Sequence, residues 1–397
     1  MNGRKTARQP AVPGATTAVV LSGGGARGAY QVGVLRWIAS QYPDLTIPIL
    51  TGVSAGAINA AYLAGRPEPL SEALDMLSDL WGDLSTEDIL QADLLSLLGN
   101  AVRVGLNLVS GGSRLAPPVR GLVDTAPLER TLKAVLSPER IAANISAGRL
   151  KAVAVSATSY ATGRTVSFVQ AAEGARMWER SRSQSVATRV SVDHVMASSA
   201  IPLFFPARSV DGEWFGDGSL RQGSPLSPAV FLGADRILAV SSRYGSAVDE
   251  RSDARADAYP PAAQILGLML NSIFLDNLDV DAEHLERIND IVARVPNEKL
   301  WLLPERNVRF LIIRPSADLG RMAARHESSL PSALRYMIRG LGTGRVASPD
   351  LLSYLMFEGE YLQELIRLGE RDAERNWLRI RKFIEDDGVV SPGSGAE

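Results

Sequence analysis

Two glycine-rich turns, each placed directly after a short apolar run, constrain this chain more than any other feature. Thr17-Ala18-Val19-Val20-Leu21 precedes Gly23-Gly24-Gly25-Ala26-Arg27-Gly28, and Ile47-Pro48-Ile49-Leu50-Thr51-Gly52-Val53 runs into Gly52-Val53-Ser54-Ala55-Gly56. Short continuous runs rich in Val and Ile are the pattern of strands buried on both faces, as in a parallel sheet. Pro48 stands near the start of its run, where a missing N–H is tolerated. Between the runs, Gly28 to Ser40 carries Val32, Leu35, Trp37 and Ile38 at helical spacing. Small and apolar residues from Ala55 to Ala64 predict a second helix packed closely on the strands. The two turns then fall at the C-terminal ends of neighbouring strands in one βαβ unit, the edge where α/β proteins build their sites.

A serine in G-x-S-x-G is the usual form of a nucleophile held on a tight strand-to-helix turn. A glycine run that ends a strand and opens a helix leaves backbone N–H groups free to hold an anion. Acyl transfer is therefore the first reading. The loop also fits G-x-G-x-x-G through Gly23, Gly25 and Gly28, the pattern of a dinucleotide site. That site needs an acidic residue at the end of the second strand. Here the strand ends in Thr51-Gly52-Val53-Ser54, and Asp44 precedes it.

A serine hydroxyl is a poor nucleophile until a base takes its proton. The chain has three histidines, His194, His284 and His326. His284, in Asp281 to Arg287, and His326, beside Arg325 and Glu327, read as solvated surface residues. His194 lies in Val192-Asp193-His194-Val195-Met196, a helix expected to pack against the site. A triad of Ser54, Asp217 and His284 or His326 keeps the chain order of α/β-hydrolases, but those enzymes place several strands before the serine. Asp217, in Gly216-Asp217-Gly218-Ser219, is the other candidate base. Its glycines admit close approach by other backbone, although the same residues also fit a plain turn between strands.

Taken in this order and spacing, the motifs resemble those of the patatin-like phospholipases, serine acyl hydrolases that use a Ser–Asp pair in place of a triad. The G-G-G-x-R-G loop matches Gly23 to Gly28, G-x-S-x-G matches Gly52 to Gly56, and D-G-[GA] matches Asp217-Gly218. The run Ala197-Ser198-Ser199-Ala200-Ile201-Pro202-Leu203-Phe204-Phe205-Pro206 is similar to that family's segment before the aspartate. The resemblance extends over roughly residues 16 to 243. Ser219 departs from it, standing where the family has Gly or Ala.

The resemblance implies an α/β fold with a central, mostly parallel sheet flanked by helices. It implies Ser54 and Asp217 as the catalytic pair and Gly23, Gly24 and Gly25, with Ala55, as the oxyanion site. Arg27, Gly28, Gly52, Gly56 and Gly218 become supporting residues. The implied activity is hydrolysis of fatty-acyl esters of phospholipids or lysophospholipids. A soluble carboxylesterase or thioesterase with the same pair, and a non-catalytic lipid-binding protein, are the alternatives. An aspartate of ordinary pKa, about 3.9, is a weak base for a hydroxyl, so its site must exclude water. Phe204, Phe205, Trp214 and Phe215 are the candidate shields. Arg27 either fixes the loop through a salt bridge or attracts a phosphate.

At 397 residues and 46% apolar content the chain can bury a large core. It has no cysteine, which excludes disulfides, a thiol nucleophile and cysteine metal sites, and fits a reducing compartment. A net charge of −2 gives no global pull toward nucleic acid, and only five of the 42 basic residues are lysine. No cofactor is expected, and no ligand cluster suggests a metal. The expected partners are a lipid substrate and a membrane surface touched peripherally.

Residues 1–15 and 388–397 read as disordered tails, 16–245 as the catalytic domain, and 246–387 as a mainly helical extension with a strand near 307–313. Further strands are expected over 150–156, 165–169 and 237–240, and helices over 70–98 and 124–136. The basic start, Met1 to Pro10, is not followed by a long apolar stretch. Ile265 to Leu275 is too short to span a bilayer, so it reads as a helix covering the sheet, or second as an interfacial helix. The expected location is cytoplasmic. Two stretches mix apolar and basic residues, 99–123 and 171–189 with Trp178. They are candidates for contact with an anionic membrane surface, against the plainer reading as surface loops.

Overall fold

The computed structural model describes residues 15–91, 121–244, 260–274, 277–303, 305–345 and 349–385. Nine strands lie among them: β1 Thr17–Leu21, β2 Ile49–Val53, β3 Ala152–Ser159, β4 Thr165–Ala171, β5 Ser183–Ala187, β6 Arg208–Val210, β7 Glu213–Asp217, β8 Arg236–Val240 and β9 Arg309–Ile313. In chain order the helices are α1 Gly28–Gln41, α2 Ala55–Ala64, α3 Leu70–Gly82, α4 Thr86–Ile89, α5 Ala126–Val135, α6 Pro138–Ser146, α7 Val192–Ser198 and α8 Ser227–Phe231. After them come α9 Ala262–Phe274, α10 Asn277–Ala293, α11 Leu319–Arg325, α12 Ser332–Gly340, α13 Asp350–Leu355, α14 Gly359–Arg375 and α15 Trp377–Glu385.

The strands form one sheet in the order β5-β4-β3-β2-β1-β8-β9, with the β6–β7 hairpin attached to β3. Its centre is parallel: β1 pairs with β2 and β8, β2 with β3, and β8 with β9. β4 runs antiparallel to β3. The fold is the mostly parallel α/β sheet flanked by helices that the motifs imply.

Alternation along β1 explains why both faces must be covered. Ala18 and Val20 point into one buried cluster, Val19 and Leu21 into the other. Each large aliphatic side chain so buried contributes roughly 1.5–3 kcal/mol. Helices α1, α2, α3, α13, α14 and α15 cover the first face, and α8 and α10 cover the second. Helix α14 meets α1 backbone to backbone. The carbonyl of Ile366 fills the space beside Gly33, and that of Tyr30 fills the space beside Gly369. The C-terminal helices thus share the core of the N-terminal half.

Asp211 (φ 49°) and Gly212 (φ 83°) turn the β6–β7 hairpin, with two positive φ values as in a type I′ turn. The 171–189 stretch contains the edge strand β5, whose polar Ser183-Gln184-Ser185 hides it from hydrophobic patterning. Trp178 in the same stretch is buried and stacks on Phe231 at 5.0 Å between ring centroids. Its apolar surface faces protein, so the candidate lipid contact there loses its aromatic half. The other candidate stretch lies outside the described residues from 99 to 120. Helix α9 buries Ala263 and Leu270 but exposes Leu268 and Met269. No helix among the described residues is long and apolar enough to cross a membrane.

Candidate active site

β2 ends at Val53, and Ser54 follows at φ 54° and ψ −126°. An L side chain in such a backbone conformation costs on the order of 1–3 kcal/mol and persists only where the surroundings enforce it. They do so here by contact. A Cβ on Gly52 would strike the carbonyl of Gly56, and one on Gly56 would strike that of Leu21. The N–H of Ser54 donates to Ser198 Oγ at 2.9 Å, and Ser198 Oγ donates to the Ser156 carbonyl at 2.6 Å. The elbow is therefore tied to α7 and β3. The run Ala197-Ser198-Ser199-Ala200 carried the signal for this, but no local pattern assigns Ser198 that task.

Asp217 ends β7 and is fully buried. Its Oδ1 accepts from the N–H of Ser219 at 2.9 Å. At the next residue, Gly218, a side chain would collide with the Ser156 carbonyl and with Val53. Glycine there lets the carboxylate lie against the strand end that carries Ser54. Burial lifts the Asp217 pKa to about 7, against the lowering influence of the Ser54 hydroxyl and of the Ser219 backbone and side chain. The Ser54 hydroxyl is thus among the groups that influence the carboxylate. No hydrogen bond of ordinary geometry is closed onto Oδ2, however, which is buried without a partner among the described residues.

Of the four expected shields, Phe205 lines the adjoining cleft and Phe204 is buried. Phe215 packs with Phe168 in a separate small cluster. Trp214 is 53% exposed, because alternation along β7 turns it to the opposite face, so it shields nothing.

The cleft beside Ser54 opens to solvent, and its walls are almost wholly apolar. Ile58, Trp81, Leu84, Leu128, Leu132 and Phe205 supply much of that surface. Gly25 and Ala55 stand in the same wall as Ser54. Ala55 is the first residue of α2, so its N–H has no acceptor within the helix. Gly23 and Gly24 lie behind the wall: the Gly23 carbonyl accepts from Ser242 Oγ at 2.5 Å, and a Cβ on Gly24 would press on the same hydroxyl. At Gly28 a side chain would meet Ala55 and Trp81, so glycine lets α1 and α2 start side by side.

Arg27 is 2% exposed. Its guanidinium donates to Asp350 and Ser353 and lies over the Tyr354 ring, 4.2 Å from the centroid. Burial opposes its charge, but Tyr354, Asp350 and Tyr361 outweigh that and raise its pKa. Of the two roles open from sequence, the salt bridge that fixes the loop is the one its surroundings allow. Its partners, more than three hundred residues away, leave no trace in the local sequence.

No histidine is a hydrogen-bond partner of Ser54 or Asp217 among the described residues. His194 caps α7 with Ser191, 2.8 Å from Nδ1 to Oγ, and sits against Phe168. His284 is exposed on α10. His326 is half-buried, with Nε2 2.9 Å from Glu364, and so is less solvated than its neighbours suggest.

The sequence model of the patatin-like phospholipases matches residues 19–230, more than half of the chain. The chain belongs to this family and is by class a lipid acyl hydrolase. Comparison with curated protein sequences gives no match. Among solved structures it is similar to human GIVD cytosolic phospholipase A2, at 12% identity, over 93% of this chain and 62% of that one, with a TM-score of 0.44. It is similar to VipD from Legionella pneumophila at 13% identity, over 90% and 67% of the two chains, with a TM-score of 0.29. A third similarity is to the ExoU–SpcU complex of the Pseudomonas aeruginosa type III secretion system, at 15% identity, over 94% and 78%, with a TM-score of 0.29. The chain spans about three fifths of the human phospholipase chain.

Proposed function

We propose that the protein releases fatty acid from phospholipids or lysophospholipids through Ser54 and Asp217. Ser54 Oγ attacks the ester carbonyl carbon while Asp217 takes the hydroxyl proton. Charge developing on the carbonyl oxygen falls to the N–H groups of Gly25 and Ala55. Collapse of this intermediate breaks the bond to the leaving alcohol, which takes the proton from Asp217. Water then attacks the acyl-serine, gives a proton to Asp217, and the fatty acid departs as Ser54 recovers its hydrogen.

One observation carries the reading: a serine on a strained elbow shares an apolar wall with Gly25 and Ala55 while a buried carboxylate of pKa about 7 lies beside it. A base of that strength is matched to neutral pH, where an ordinary aspartate is not. A cleft lined so completely by apolar side chains is suited to a fatty-acyl chain. A fluorophosphonate probe with product analysis on phosphatidylcholine and lysophosphatidylcholine tests the proposal. Labelling and fatty-acid release are expected from the wild type, and both should vanish in a folded Ser54→Ala variant. Release that survives Ser54→Ala would overturn it.

A further inference from the structure

The glycine-rich loop has little of its own to hold it in place. Gly24 (φ 152°) and Gly25 (φ 56°) take backbone conformations open mainly to glycine, and Gly25–Arg27 is a single 3-10 turn. Beyond the Ser242 contact with Gly23, its support comes from the far end of the chain. Arg27 Nε donates to Ser353 Oγ at 2.8 Å, and Nη2 donates to Ser353 Oγ at 2.6 Å and to Asp350 Oδ1 at 2.7 Å. The Tyr354 carbonyl occupies the space beside Gly25 that a side chain would need. The second oxygen of Asp350 accepts from Asn271 Nδ2 at 2.7 Å, and Asn271 Oδ1 accepts from the Tyr354 hydroxyl at 2.9 Å. Asp350 therefore joins the loop, α9 and α13, and both of its oxygens are engaged. Every partner of Arg27 in this network lies beyond residue 230, where the family match ends.

We propose that Asp350 is a positioning residue for acyl transfer, holding the Gly25 N–H toward the carbonyl on Ser54 by way of Arg27. The inference rests on the serine-hydrolase reading above. A buried guanidinium without its counter-charge is pulled toward water, and Arg27 stands only two residues from Gly25. A shift of about 1 Å in a reacting geometry costs on the order of 100-fold in rate. The loss should fall on kcat, because the oxyanion exists only after attack. The large apolar side chains of the acyl cleft named above lie on α2, α3 and the loop after it, α5 and the loop after α7, away from the Arg27–Asp350 network, so KM should change little.

The test uses full-length Asp350→Asn, Asp350→Glu and Ser353→Ala. Active sites are titrated with fluorophosphonate so that rates refer to folded enzyme, and thermal unfolding is measured in parallel. Asp350→Asn is expected to lower kcat, and the rate constant of labelling, by about 10–100-fold with KM within about twofold. Asp350→Glu, which keeps the charge, should recover part of that loss. Ser353→Ala removes two hydrogen bonds from the guanidinium but leaves the ion pair, and should lower kcat by about 3–10-fold, in keeping with a net loss near 1 kcal/mol. If Asp350→Asn does not fold, Ser353→Ala decides alone. A kcat per titrated site within twofold of wild type in every folded variant, whatever the unfolding temperature, overturns the proposal and leaves the hydrolase reading intact. A wild type that neither labels nor hydrolyses overturns both.

Discussion

Asp217 pairs with Ala157 across the antiparallel β3–β7 ladder, one residue beyond the point where Ser156 pairs with Val53 across β2–β3. β4 occupies the opposite edge of β3 from Ala152 to Thr158. One edge of β3 is therefore shared in succession, by β2 up to Val53 and by β7 from Asp217 onward. Ser54 is the residue at which the chain must leave the sheet to make room. The strained elbow and the buried carboxylate are two results of the same handover.

If Asp217 takes the proton of Ser54, the rate should report its ionisation. With its pKa held at about 7 by burial, kcat/KM for an uncharged ester should rise roughly tenfold per unit at low pH and level off about one unit above that midpoint. A pH–rate profile with a single acid limb near 7 is the expected result. A plateau reaching down to about pH 5 would assign the base elsewhere.

The same group should make the fold less stable at high pH. Its pKa is raised on folding, so its stabilising contribution is complete below about pH 4 and is lost as the pH climbs through the folded value. Asn cannot ionise. Asp217→Asn should therefore gain on the wild type steadily between these limits, its stability relative to the wild type being about 4 kcal/mol higher at pH 8 than below pH 4. Urea unfolding of both proteins at pH 5 and pH 8 measures this. An equal difference at the two pH values would contradict it.

Strain at Ser54 should be measurable apart from catalysis. Its φ of 54° and ψ of −126° suit glycine, so Ser54→Gly should be more stable than Ser54→Ala by about 1–2 kcal/mol although neither has a nucleophile. Denaturant midpoints of the two variants give the answer.

Chain-length preference should follow the apolar cleft. Ile58, half-buried in its wall, replaced by Trp would fill space that a long acyl chain needs. Ile58→Trp is expected to lower kcat/KM for palmitoyl esters by about 10–100-fold while leaving butyryl esters within about threefold. A series of p-nitrophenyl esters from four to sixteen carbons checks this. A uniform loss at every length would place the chain elsewhere.

Much of this architecture was readable along the chain, and for a definite reason. Sharp backbone bends and close strand–helix approaches require small residues locally, so Gly23–Gly28 and Gly52–Gly56 mark their turns wherever they fold. β1, α2 and β9 fall at the residues their patterns indicate. Strands covered on one side or lying at an edge were less visible: β5 is polar enough to pass for a loop. Trp214 and Phe215 show why a shield is hard to choose from sequence, since neighbours on one strand point to opposite faces.

Residue types alone named Ser54, Asp217 and the glycine loop as candidates, because nucleophile, base and anion site each demand particular atoms and particular backbone freedom. Folding settled their company. The ladder on β3 set Asp217 beside the serine elbow and buried it. Asp350 and Ser353 became the partners of Arg27 across 323 and 326 residues. Contacts at such separations depend on how the sheet and the C-terminal helices close on one another, and no nearby residue carries a record of that.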